Sequence, residues 1–200
     1  MKFLSGLTLF LLAANSPAAL IGFNAADGSS VTTTVTATLG ADFDPALSDP
    51  AALGGSYITI ESDGGGTTPG NANRTAQYNI FFSEAGTYHL YARLLVESPN
   101  GASNDSFFYA REFGTPDPTN DGTPIGWATM NDLYRDPEGV GTDQYAWINL
   151  STYTATGGED GSALTVDSAG THEFWIGARE DGLRIDAFAF GSADQSFSDA

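Results

Sequence analysis

The stretch Thr87-Tyr88-His89-Leu90-Tyr91-Ala92-Arg93-Leu94-Leu95-Val96 decides the fold. Tyr88, Leu90, Ala92, Leu94 and Val96 recur at every second residue, which places them on one face of a β-strand. His89, Tyr91 and Arg93 fall on the other face. A turn, Glu84-Ala85-Gly86, leads into this strand. Before the turn, 76–82 alternates in the same way, with Tyr78, Ile80 and Phe82 together.

Working outward, short β-forming runs recur along the chain. They are Thr-rich 31–39, then 57–61, 105–111, 125–131, 144–150, 163–167, 170–179 and 183–190. Loops rich in Gly, Pro, Asn, Asp and Thr separate them at 41–56, 62–74, 113–124 and 132–143. Ala85-Gly86-Thr87-Tyr88-His89 is echoed by Ala169-Gly170-Thr171-His172. Both lead into strands that end in Ala-Arg, at Ala92-Arg93 and Ala178-Arg179. About ten short strands joined by turns, with no long helical period, predict an all-β antiparallel two-sheet β-sandwich.

The chain has 200 residues, enough for one domain with a real core. Seven Lys and Arg face 25 Asp and Glu, a formal net charge of −18. Nucleic acid and anionic membrane are therefore poor partners. With no cysteine there is no disulfide framework, thiolate zinc site or cysteine nucleophile.

Lys2 precedes an apolar run from Phe3 to Ala14, and Asn15-Ser16-Pro17-Ala18-Ala19 follows. This has the layout of a secretory signal, with Ser16 and Ala18 at the small-residue positions of the cleavage site. The expectation is a signal at 1–18, a sandwich domain at 19–190 and a polar tail at 191–200. It implies a secreted, extracellular protein of bacterial export with no membrane anchor.

The order of several short motifs resembles the carbohydrate-binding modules of families six and thirty-five, which have the galactose-binding-like jelly-roll fold. The motifs begin with Ala51-Ala52-Leu53-Gly54-Gly55-Ser56-Tyr57-Ile58 and Ala76-Gln77-Tyr78-Asn79-Ile80. Glu84 to Arg93 and Asn104-Asp105-Ser106-Phe107-Phe108 follow. Ala169-Gly170-Thr171-His172 and Asp181-Gly182-Leu183-Arg184-Ile185-Asp186 close the series. The resemblance implies a sugar site in loops at one edge of the sandwich. It points to Tyr57, to Tyr145 after Gly141-Thr142-Asp143-Gln144, and to Arg184 two residues before Asp186, where many members carry asparagine. It also implies a structural calcium near the N-terminal strand, with Asn24, Asp27 and Asp186 at the ligand positions. Asn24 and Ala26 stand where the family has glutamates. Calcium wants six to eight oxygens and several carboxylates, so that site is weakened or lost here. No other cofactor is implied.

The residue types bear on the same question. A neutral sugar is held by an aromatic ring under its C–H face and by planar polar groups at its hydroxyls. Tyr57, Trp127, Tyr145 and Trp147 lie near loop boundaries, with Arg184 and Glu180 as polar companions. Each aromatic is also readable as a core or sheet-edge residue, Trp147 more so than the others. An alternative platform is a sheet face built from His89, Tyr91 and Arg93 together with Glu173, Trp175 and Arg179, if their strands are neighbours. No Gly-x-Ser-x-Gly elbow, His-Glu-x-x-His helix or phosphate-binding loop is present. The expectation is a noncatalytic, monomeric protein that binds a polysaccharide or oligosaccharide. The alternatives are an extracellular structural or surface protein of the same fold without a sugar site, and a small glycan-active enzyme.

Overall fold

A computed structural model describes residues 19–197 except 61, 100, 123–124, 135–138 and 159. The proposed signal at 1–18 lies outside the described residues, as do parts of the 132–143 loop and the end of the tail. Twelve strands are described: β1 (Ile21–Asn24), β2 (Val35–Leu39), β3 (Phe43–Ser48), β4 (Ser56–Ile60), β5 (Thr75–Phe82), β6 (Gly86–Val96), β7 (Phe107–Ala110), β8 (Trp127–Met130), β9 (Ala146–Asn149), β10 (Leu164–Val166), β11 (Gly170–Ala178) and β12 (Leu183–Gly191). The described helices are three single 3₁₀ turns.

The strands form two antiparallel sheets. In the seven-stranded sheet, β6 and β12 run side by side. β9 and β10 pair with the free edge of β6, while β1 and β4 pair with β12, and β3 closes on β4. The five-stranded sheet has the order β2-β5-β11-β7-β8. The Glu84-Ala85-Gly86 turn therefore carries the chain from one sheet to the other.

The period-two reading of β6 holds residue by residue, since Tyr88, Leu90, Ala92, Leu94 and Val96 are all fully buried. They pack between the sheets with Tyr78, Ile80 and Phe82 of β5, Phe174 of β11, and Phe188 and Phe190 of β12. The aromatic rings interlock edge to face. Phe174 and Phe190 stand 5.2 Å apart at 88°, and Phe82 and Tyr88 4.9 Å apart at 68°. Each such ring buries enough apolar surface to contribute about 2 kcal/mol relative to exposure. The Tyr78 hydroxyl donates to the Ala25 carbonyl at 2.7 Å, and burial pushes its phenol well above the ordinary range.

Two strands depart from the sequence reading. β1 is too short for a period to show, yet it pairs along its whole length with β12, from Ile21 opposite Phe190 to Asn24 opposite Ala187. β3 lies inside the segment expected to be loop. Its register slips between Asp44 and Leu47, the stretch that holds Pro45. Proline has no N–H for the ladder, and an edge strand with an irregularity is where a sheet tolerates it. The Thr-rich run contributes only its second half, as β2.

Candidate functional site

The outer face of the seven-stranded sheet carries the groups of interest. Residues that alternate with the core on β1 and β12 are small there: Gly22, Ala187 and Ala189. Those on β6 are His89, Tyr91, Arg93 and Leu95. The tail and the loop before β4 fold over parts of this face.

At one end of the face, three of the expected residues converge. The Arg184 guanidinium lies 4.7 Å over the Tyr57 ring. It is held there by Asp49 Oδ2 at 3.0 Å and Glu97 Oε1 at 2.6 Å. The Tyr145 hydroxyl donates to the same Asp49 Oδ2 at 3.4 Å, and the Arg93 guanidinium sits 4.9 Å from the Tyr145 ring centre. Burial first, then Asp49 and Asp186, push the Tyr145 phenol up.

Convergence does not produce open ring faces. Tyr57 is only 8% exposed and Tyr145 only 7%. The expectation that both present a ring to a sugar is corrected here. A planar guanidinium stacks on an aromatic face as readily as a sugar does. Ion pairs on both sides hold Arg184 in that place.

Trp127 is a further correction, because it is fully buried. It packs with Phe108 and Ala110, and its Nε1–H donates to the Asp117 carbonyl at 2.8 Å. Glu180 accepts from the Asp105 N–H at 3.0 Å through Oε2 and pairs with Arg179 at 2.9 Å through Oε1. The alternative platform does not assemble. His89, Tyr91 and Arg93 belong to β6 in one sheet, while Trp175 belongs to β11 in the other and Arg179 directly follows it. Trp175 donates to Glu173 Oε2 at 3.4 Å, and Arg179 to Asn131 Oδ1 at 2.9 Å.

The residues at the implied calcium position do not fit that ion. Asp186 is fully buried. Its Oδ2 pairs with Arg93 Nη1 and accepts the Leu53 N–H at 2.7 Å. Asn24 Oδ1 accepts the Ala26 N–H at 2.8 Å, which fixes the amide so that Nδ2, a donor, faces the Leu53 carbonyl at 2.8 Å. Asp27 is exposed and uses its Oδ1 for the Ser29 N–H. No cluster of three His, Asp or Glu side chains suited to a metal occurs among the described residues.

This face carries a groove of about 560 Å³. That lies in the range of small-molecule sites. Gly22, Ala187 and Ala189 line its floor, with Trp147 of β9 and Phe197 of the tail on one flank and Val31 and Leu53 on the other. Trp147 and Phe197 stack nearly parallel, 4.1 Å apart at 18°. Phe197 also leans on Tyr91 at 5.0 Å, and the Tyr91 hydroxyl ties the tail by donating to the Ser192 carbonyl at 2.7 Å. Asn149 Nδ2 in turn donates to that hydroxyl at 3.1 Å. None of the described lining residues is charged. Sequence reasoning picked out Trp147 as near a loop but gave no weight to Phe197. One aromatic in the polar run Gly191 to Ala200 was the available signal.

No family model and no curated protein matches this chain. Solved structures similar to it include several carbohydrate-binding modules. One is a family 35 carbohydrate-binding module from Clostridium thermocellum, at 18% identity and TM-score 0.43 over 80% of this chain and 98% of that one. A second is the carbohydrate-binding module from Cellvibrio mixtus lichenase 5A in complex with cellotriose, at 14% identity and TM-score 0.40 over 89% and 99%. A third is a Podospora anserina β-(1,4)-mannanase with a family 35 module, at 11% identity and TM-score 0.46. The match covers 88% of this chain and 28% of the mannanase, so this chain spans under a third of that protein. Among the described residues no helix is long and apolar enough to cross a membrane.

Proposed function

We propose that this chain is an exported, noncatalytic, monomeric protein that binds a neutral polysaccharide or oligosaccharide in the groove across the outer face of the seven-stranded sheet. The observation that carries this reading is the groove itself: an aromatic flank, Trp147 with Phe197, beside a floor of small residues. Sugars present alternating C–H faces and hydroxyl rims. The C–H faces suit the indole, and the rims suit Ser30 and Thr32, which also line the groove. The absence of charge among its described lining residues, in a chain of net charge −18, favours a neutral polymer over a uronate or sulfated one. The same freedom from carboxylates leaves a bound glycan without an acid–base pair, which supports binding rather than hydrolysis.

The test is affinity electrophoresis in gels cast with neutral glucans and mannans, with alginate as the acidic comparison. Retardation by a neutral polymer, lost in Trp147→Ala, is the expected result. Phe81→Ala serves as control, because Phe81 is exposed on the outer face of the other sheet. Free migration of the wild-type chain through every neutral gel points to a structural protein of the same fold. Release of reducing ends from any of them makes it an enzyme.

A further inference from the structure

The groups around Asp186 form a closed cluster whose cation belongs to the chain. Arg93 projects from β6 onto the outer face, where β12 is its neighbour. Its Nη1 reaches Asp186 Oδ2 and also donates to the Ala51 carbonyl at 3.3 Å. Asp186 Oδ2 takes the Leu53 N–H as well. Asn24 Nδ2 donates to the carbonyls of Leu53 and Ser56, at 2.8 and 3.4 Å. The loop from Ala51 to Ser56 is thus fastened to β1, β6 and β12 at four points. Gly54 lies so close that a Cβ there would stand 2.9 Å from Asn24 Nδ2, in a backbone conformation at φ +72° that favours glycine.

A divalent cation at this place would need acceptors turned toward it. The cluster instead presents two donors, the Leu53 N–H and the Asn24 amide. Among the described residues it presents one carboxylate, Asp186, whose Oδ1 is buried without a hydrogen-bond partner. One free carboxylate oxygen is far from the six to eight oxygens that calcium takes.

We infer that Arg93 is a built-in structural cation: its guanidinium neutralises Asp186 and fastens the Ala51–Ser56 loop to the sheet, so that the fold needs no bound divalent ion. The guanidinium suits this role because its planar fork serves a carboxylate and a carbonyl at once while its face lies against Tyr145. A spherical ion has to be recruited from solution, whereas an arginine is present as soon as β6 and β12 pair. The inference stands whether or not the groove binds sugar.

Thermal unfolding in excess EGTA and in millimolar calcium tests the first half, and identical curves are expected. A lower melting point in EGTA, restored by calcium and absent in Asp186→Asn, would overturn it. The second half is tested by Arg93→Met, which leaves a buried carboxylate unpaired. That should raise the unfolding equilibrium constant by roughly 10²–10³-fold. The double variant Arg93→Met with Asp186→Asn removes both charges and should recover most of the loss. If Arg93→Met does not fold, the double variant alone decides, since it should fold and melt cooperatively. A double variant no better than the single one, or an Arg93→Met as stable as the wild type, refutes the role of Arg93. Terbium luminescence gives an independent readout, with no signal dependent on Asp186 in the wild type.

Discussion

Asp105 offers the sharpest test of the electrostatics. It precedes β7, is 1% exposed, and neither carboxylate oxygen has a well-aligned hydrogen-bond donor. Its neighbours make matters worse. Glu180, which accepts the Asp105 N–H, and Asp132 both press negative charge on it, while the nearby Arg179 is engaged by Glu180, Ser106 and Asn131. Burial above all, then Glu180 and Asp132, push the carboxyl up to about 7 from its ordinary 3.8. The folded state therefore holds this proton more tightly than the unfolded state. The stability it contributes is fully present below about pH 4 and is lost as pH rises toward 7. At ~1.36 kcal/mol per pH unit, that interval is worth ~4 kcal/mol. Asp105→Asn keeps the shape and discards the titration. Its stability relative to wild type should therefore improve by ~3–4 kcal/mol between pH 4 and pH 8. Denaturant unfolding at several pH values reads this directly, and taking the difference between pH values cancels any fixed cost of the amide. A relative stability of Asp105→Asn that is flat with pH, or that worsens toward pH 8, refutes the account of an uncompensated buried carboxylate.

Three other substitutions address packing. Tyr145→Ala should lower stability by ~3 kcal/mol in chemical denaturation, because the ring is sealed beneath Arg93 and packed with Ala52 and Leu95. A melting point unchanged by that truncation would mean the ring is free. Gly161→Ala drives a Cβ into the Leu150 carbonyl, so a loss of ~1–3 kcal/mol is expected from the same measurement. Phe197→Ala removes the ring stacked on Trp147, with an expected loss of ~1 kcal/mol. That should read as a fall of ~3 °C in melting temperature, accompanied by a change in indole fluorescence.

The fold was legible wherever apolar side chains recur at every second position of a long strand. β5, β6 and β11 declare themselves by alternation, because each contributes one face to the space between the sheets. β1 and β3 did not, for physical reasons. Four residues cannot display a period, and β3 pairs through an irregular register around Pro45. Their placement is decided by β12 and β4, strands far away in sequence. Which strand belongs to which of the two sheets was beyond reach for a related reason. The alternation of β6 and β11 says which residues face inward, and nothing local says that the two strands lie in different layers. The sheet-face platform combining Tyr91 with Trp175 failed on that point alone.

The site was partly legible, and its misreadings share one cause. Tyr57, Tyr145 and Arg184 were brought together by motif order, and they do meet. Whether a ring face is open depends on what lies over it, and here two of the seven cationic side chains lie over the two tyrosines. In a chain with 25 carboxylates an arginine readily meets acid, as Arg184 meets Asp49 and Glu97 and Arg93 meets Asp186. Those acids flank the tyrosines, so the ion pairs close the edge that the motif order marks as open. Trp147 lies instead beside the small-residue face of β1 and β12, in a groove whose described lining is uncharged. Charge pattern and ring exposure are therefore coupled in this chain.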